Sequence, residues 1–212
     1  VNLPNFTSLN YDDSVPLRNL LRHVAPFVPK LPEAFAMDLL RQKYIDFARR
    51  TRMLACEIVM DYQSGVKDYY LVPPQDHEVY SIVGIDGGHH GYYWYGMQRT
   101  QVKTDFDVMD NNCIRLHNTP SVDRHDGLKV FVNLLPKACI DYMPASVALP
   151  FGQDIGRGVV ADALVIPGKD WTSPVLARKY ELDYERMLLS ARALSSSNRK
   201  IDSTSMKPVR IL

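Results

Sequence analysis

Residues 32–52 read PEAFAMDLLRQKYIDFARRTR and residues 55–74 read ACEIVMDYQSGVKDYYLVPP, and the spacing of the apolar positions changes between the two. In the first stretch Met37, Leu40, Tyr44, Phe47 and Ala48 recur at steps of three and four, which is one face of an α-helix. Arg41, Gln42, Asp46, Arg49 and Arg50 occupy much of the remaining circumference. Pro32 and Glu33 suit a first helical turn, where the amides are unbonded and favour a carboxylate. The second stretch predicts a strand, a turn at Ser64-Gly65, and another strand that stops at Pro73-Pro74. The chain therefore passes from helix to sheet near residue 55.

Working outward, residues 1–15 are polar and turn-like, and PLRNLLRHVAP at 16–26 predicts a short helix bounded by two prolines. Beyond the junction, EVYSIVGIDG, GYYWYGM, FDVMDNNCIRLH and LKVFVNLLP supply further strands. In the last of these Val130, Val132 and Leu134 alternate with Lys129, Phe131 and Asn133. Gly87-Gly88, Asp110 to Asn112, and Asp126-Gly127 predict turns. Together these segments predict a small, mostly antiparallel sheet across 56–136. Residues 144–166 hold either one helix or two with a break near Gly152 to Gly158, and a last long helix runs over 174–195. In the last helix Leu176, Tyr180, Tyr184, Met187, Leu188, Ala191 and Leu194 form the apolar stripe. The expected fold class is α+β. N- and C-terminal helices (1–55 and 137–195) form a bundle, a mostly antiparallel β lobe (56–136) is inserted between them, and an extended tail (196–212) follows.

Composition narrows the function classes. Of 212 residues, 25 are Lys or Arg and 24 are Asp or Glu, so a formal charge of +1 gives no general drive toward nucleic acid or an anionic membrane. The three cysteines, Cys56, Cys113 and Cys139, form no CxxC pair, which disfavours a disulfide scaffold and fits a reducing site of synthesis. No apolar run approaches the ~20 residues needed to cross a bilayer. The N-terminus lacks a basic region followed by an apolar core, so it does not read as a signal peptide.

Local motifs point away from catalysis. His89 and His90 lie beside Asp86, but adjacent residues on a strand face opposite sides, so the segment reads as a polar loop. His125 and Asp126 before Gly127 read as a turn, His77 follows Asp76 in a loop, and His23 and His117 have no evident catalytic partner. The cysteines lack a local base and read as small buried residues. Asp61 and Asp68 can face each other across a hairpin, as exposed strand carboxylates often do. There is no GxSxG, HExxH or GxxxxGK[ST] segment. The expectation is no catalytic, metal or cofactor-binding residue, and no enzyme. A metal-dependent hydrolase using the His-rich turn, or a monomeric binding module using the tyrosines, are the alternatives.

Three other segments suggest contacts. Tyr92, Tyr93, Trp94 and Tyr95 put aromatics on both faces of a strand, one for the core and the other for a helix, a ligand or another protein. Arg41, Lys43, Arg49, Arg50 and Arg52 make either a solvated basic face or a partner contact. The tail SSSNRKIDSTSMKPVRIL has four basic residues against one acidic residue and little to bury, so alone it should be disordered and would order on a partner.

The order of LPEAFAMDLLRQKYIDFARRTRML, YYLVPPQDHEVYSIVGID and GVVADALVIPGKDWTSPVLARKYELDYERMLLSARA resembles the head-to-tail adaptor (head-completion) proteins of tailed bacteriophages, especially short-tailed ones. The likeness covers most of 30–195. It implies a virion neck protein, assembled in the host cytoplasm. Such proteins form a homo-oligomeric ring, commonly of twelve, below the portal. The ring extends the DNA channel without reading sequence and docks tail nozzle or fibre proteins. It implies no cofactor and no membrane. Met37, Leu40, Tyr44 and Phe47 would belong to the bundle, and Leu164, Trp171, Tyr180, Tyr184 and Leu188 to its C-terminal half. Arg199, Lys200, Lys207, Arg210 and Leu212 would contact the portal or a neighbour. Tyr92 to Tyr95 would face tail-side partners.

Overall fold

A computed structural model describes residues 13–86, 92–94 and 106–200. The fold is α+β: N- and C-terminal helical segments flank a mostly antiparallel β lobe. The chain divides into two compact units, one holding Leu54–Leu135 and the other the segments before and after it.

The helical unit begins with a short strand, β1 (Ser14–Pro16), and a 3-10 helix over Leu17–His23. The expected short helix is present and takes this tighter form. Leu17, Leu20 and Val24 are buried at steps of three and four, so a tight turn already places the apolar side chains on one face. Helix α1 (Glu33–Thr51) starts after Pro32 and ends at Arg52, whose φ of 55° is the left-handed conformation of a helix C-terminus.

The lobe comprises β2 (Ala55–Tyr62), β3 (Asp68–Tyr70), β4 (His77–Asp86), β5 (Tyr92–Trp94), β6 (Phe106–Asp110), β7 (Cys113–Leu116) and β8 (Arg124–Pro136). It contains two sheets rather than the one expected. Four strands are ordered β2-β8-β4-β5 and three are ordered β3-β7-β6. The hairpin expected at Ser64-Gly65 does not form, because β2 pairs with β8 and β3 with β7. The turn residues are used nonetheless: Gly65 has φ 80° and carries the chain from one sheet to the other. Between β6 and β7 the expected turn is present, with Asp110 Oδ1 accepting the Asn112 N–H at 2.7 Å. Strand β8 lies between β2 and β4 and is buried on both faces. Leu128, Val130, Val132 and Leu134 are inside, but so are Phe131, Asn133 and Leu135. The polar member of that second face is satisfied, since Asn133 Nδ2 donates to Ser81 Oγ at 2.7 Å.

Strand β9 (Tyr142–Pro144) returns the chain to the helical unit by pairing with β1. Helix α2 (Ala145–Leu164) is one helix, continuous from Gly152 to Gly158. Its glycines serve close approach instead: a Cβ at Gly152, Gly156 or Gly158 would meet Leu20, His23 or Tyr184 at under 3 Å. Helix α3 (Pro174–Lys200) completes the unit. Its buried stripe is Ala177, Tyr184, Met187, Leu188, Ala191 and Ser195, so the face is rotated from the expected one, and Leu176 and Leu194 are exposed. No helix among the described residues is long and apolar enough to cross a membrane.

Candidate functional site

The residues expected in the bundle meet at a seam between the three helices. Leu40, Tyr44, Phe47, Leu164, Tyr184 and Leu188 are buried, whereas Met37, Trp171 and Tyr180 are half-buried. Phe47 packs on Phe151 of α2 with ring centroids 5.3 Å apart. Tyr184 of α3 donates its hydroxyl toward the Lys43 carbonyl at 3.2 Å and Asp46 Oδ2 at 3.0 Å, both on α1. Burial, then the Asp46 charge beside it, holds that phenol protonated well above its usual range. Trp171 Nε1 donates to the Ala163 carbonyl at 3.2 Å, which pins the connector between α2 and α3. Much of the basic cluster is neutralised in the same unit. Arg41 bonds Asp38, Asp141 and the Ile140 carbonyl, Lys43 pairs with Asp162 at 2.9 Å, and Arg50 makes a two-pronged contact with Glu185.

The lobe assembles a second group of side chains that the sequence reading left scattered. β2 and β8 run in register from Ala55↔Asn133 to Met60↔Leu128, and the next pair is Tyr62↔Arg124. One residue of β2, Asp61, therefore faces three of β8, His125, Asp126 and Gly127. This is a bulge within β8 and not the expected chain reversal. Asp126 adopts φ 51°, and a Cβ at Gly127 would lie 2.9 Å from the Arg124 side chain, so the bulge needs glycine there. Asp61 Oδ1 accepts the Asp126 N–H at 3.0 Å and lies 2.7 Å from His125 Nδ1. His125 Nε2 lies 3.5 Å from Asp126 Oδ2. The backbone N–H of Asp126, then His125, holds the Asp61 carboxyl below its ordinary range. The hydrogen bond to Asp61, then the Asp126 charge, raises the His125 imidazole above its own.

These three residues offer two carboxylate oxygens and an imidazole nitrogen, all within 4.8 Å of one another and all exposed. Oxygen and imidazole donors suit Zn²⁺ or Mn²⁺, with the remaining positions left to water or substrate. This corrects the expectation of a chain with no metal-ligating group and no enzymatic activity: a donor set for a divalent ion is present, and with it a capacity for metal-assisted chemistry. It also corrects the pairing of Asp61 with Asp68. Asp68 is bound instead by Arg115, at 2.6 and 2.8 Å. Asp61 and His125 are 64 residues apart, and only the β2–β8 register joins them, so no local motif could have shown the cluster.

The other candidates are placed as follows. Cys56 and Cys113 are buried, and burial, followed by neighbouring acids, raises both thiols, Cys56 to about 12. Neither supplies a thiolate near neutral pH. Buried His77 has Nδ1 3.0 Å from the Gln75 carbonyl, and His117 pairs with Asp107 at 3.1 Å. Tyr92, Tyr93 and Trp94 form β5, in register with Asp86, Ile85 and Gly84. Tyr95, His89, His90, Lys207, Arg210 and Leu212 lie outside the described residues, and so do the side chains of Arg199 and Lys200. No family model matches the chain, and no curated protein matches it.

Proposed function

We propose that the chain is a ring-forming structural adaptor between a viral portal and tail, as its resemblance to head-to-tail adaptors implies. One observation carries this reading: a single helical unit is built from both ends of the chain, with the β lobe inserted between them. That order is the one the resemblance implies. A lobe carried on a closed helical body can meet a tail protein while the body joins its copies, and a closed ring multiplies modest contacts into cooperative assembly. In this reading the tail side chains Arg199, Lys200, Lys207, Arg210 and Leu212 dock on the portal or a neighbour, and Tyr92 to Tyr95 face tail components. The test is the mass of the purified chain alone and mixed with portal, followed by imaging of the complex. A ring, expected at about twelve copies, supports the reading. A chain that stays monomeric with portal present overturns it.

A second reading, a metal-dependent hydrolase, is favoured by the Asp61, His125 and Asp126 cluster. It has the more direct structural feature of the two, whereas the first rests on the order of segments. The ligands differ from the His-rich turn at 89–90 that the sequence suggested. A bound divalent cation would supply an activated water, and the three side chains would orient it. Calorimetry with Mn²⁺ and Zn²⁺, paired with hydrolysis of an activated phosphodiester, tests this. Metal-dependent turnover that disappears in Asp61→Asn supports it, and absence of metal uptake at millimolar concentration removes it.

A further inference from the structure

Neighbouring residues on a regular strand point to opposite faces, so they rarely serve one ion together. The bulge in β8 escapes that rule. Asp126 takes the left-handed conformation, φ 51°, and its carboxylate comes within 3.5 Å of the ring of His125, the residue before it. Asp61 of β2 touches both of them, through the His125 ring and through the Asp126 backbone N–H.

The distances inside this group are unequal, and each fits a different bond. His125 Nδ1 lies 2.7 Å from Asp61 Oδ1, the length of a hydrogen bond to a carboxylate. An ionised carboxylate only accepts, so the proton sits on Nδ1. Oδ1 also accepts the Asp126 N–H at 3.0 Å, which uses its second lone pair. In the neutral imidazole Nε2 is then a bare acceptor. It lies 3.5 Å from another acceptor, Asp126 Oδ2, beyond hydrogen-bond length. Two such acceptors repel unless a cation stands between them. Zn²⁺ holds imidazole nitrogen and carboxylate oxygen at about 2.0–2.2 Å, so two ligands at the tetrahedral angle are about 3.4 Å apart. At the right angle of octahedral Mg²⁺ they would be about 2.9 Å apart. The 3.5 Å between Nε2 and Oδ2 matches the tetrahedral edge. Ca²⁺, with longer bonds, could span it but takes oxygen ligands. Nδ1 and Asp61 Oδ1, at 2.7 Å, are too close to share either ion.

We infer that His125 Nε2 and Asp126 Oδ2 are the side-chain ligands of a four-coordinate Zn²⁺ site, and that Asp61 is a positioning residue outside the coordination shell. The inference rests on reading the cluster as a metal site, and it narrows the ion from Zn²⁺ or Mn²⁺ to Zn²⁺. Asp61 fixes one ligand through the Nδ1–H of its ring and the other through its backbone N–H. This is the outer-shell relation of carboxylate, histidine and zinc. With two protein ligands, the remaining tetrahedral positions are open, and the exposure of all three residues leaves them accessible to solvent. Asp126 neutralises only part of the ionic charge, so the open positions favour water and an anionic or carbonyl oxygen of a second molecule.

The test uses the full-length chain at mildly alkaline pH, where the imidazole is neutral. Zn²⁺ uptake is followed by calorimetry, and the heat removed by His125→Gln defines the site. Asp126→Asn, which tolerates the left-handed conformation, is expected to remove the same heat. Asp61→Asn keeps an acceptor for both N–H groups and is expected to weaken Zn²⁺ binding only about tenfold. Co²⁺ in the same site should show the intense visible band of a four-coordinate ion. In the Zn²⁺-loaded wild-type chain, ¹⁵N NMR of His125 should find the proton on Nδ1 and the metal-induced shift on Nε2, which decides the ligand atom without any variant. A shift on Nδ1 overturns the inference. So does a six-coordinate Co²⁺ spectrum, or uptake that survives Asp126→Asn and is lost in Asp61→Asn. Those results leave the metal reading standing with other ligands, whereas no Zn²⁺ uptake at all overturns both.

Discussion

Asp61 and His125 hold each other in opposite charge states, and the sign of each shift sets a pH window. The His125 pKa is raised on folding, so its contribution to stability is complete below the ordinary histidine value of ~6.5 and is lost as pH rises through the raised value. The Asp61 pKa is lowered, so its contribution is complete above the ordinary aspartate value of ~3.9 and is lost as pH falls through the lowered value. Both contributions are complete between roughly pH 4 and 6.5. We expect the His125 ring proton to titrate above pH ~6.5 by NMR in the wild-type chain, and Asp61→Asn to bring it back toward that value. An unchanged midpoint in Asp61→Asn would remove the pair as the cause. A divalent ion competes with the imidazole proton, so saturating Zn²⁺ should move the same midpoint downward if the cluster binds it.

At the scale of the element, the glycines of α2 separate two kinds of close contact. At Gly158 an added Cβ would meet Tyr184 Cδ2 at 2.9 Å, Cγ at 3.0 Å and Cε2 at 3.2 Å. That ring cannot swing aside without loosening its hydroxyl from α1. At Gly152 the Cβ would meet one Leu20 methyl at 2.7 Å, with the next atom 3.8 Å away. Alanine gains about 1 kcal/mol in helix propensity over glycine, and overpacking costs about 1–3 kcal/mol. Gly158→Ala should therefore destabilise by about 1–2 kcal/mol, and Gly152→Ala should stay within about 1 kcal/mol of wild type. Urea midpoints measure both, and equal midpoints would show that the Tyr184 anchor does not resist. The same helix shows what the sequence made legible. The existence of α1 and α3 followed from apolar periodicity. One helix or two at Gly152 to Gly158 was not legible, because a glycine chosen for close packing looks the same in sequence as one chosen for flexibility. The rotated stripe of α3 has a similar origin: Ala177 and Ser195 are buried because they are small where helices approach, and a hydrophobicity pattern gives them little weight. In the lobe, strand segments were legible but their partners were not. Pairing β2 with β8 rather than β3 depends on contacts across more than 60 residues, and the Asp61, His125 and Asp126 cluster exists only through that pairing.

At the scale of the whole molecule, each unit has its own core, and among the described residues the backbone crosses between them near residues 53–54 and 135–136. In the helical unit Phe47, Ile155, Val159 and Ala191 are fully enclosed; in the lobe Phe106, Ile114, Leu128 and Phe131 are. Cooperative opening follows contiguous packing, so two separate cores imply two opening free energies. The lobe depends on contacts distant in sequence, whose loop-closure entropy is larger, whereas the helices close mostly local hydrogen bonds. Hydrogen exchange followed by mass spectrometry in rising urea should therefore show peptides from β2 and β8 losing protection together. Peptides from α1, α2 and α3 should lose it together at a different urea concentration. Simultaneous loss across both groups at every concentration would mean that the two cores unfold as one. Asn133→Leu offers an internal control, because it breaks the hydrogen bond to Ser81 inside the lobe alone. It should shift the β2 and β8 peptides toward lower urea by the equivalent of about 1–2 kcal/mol and leave the helical peptides in place.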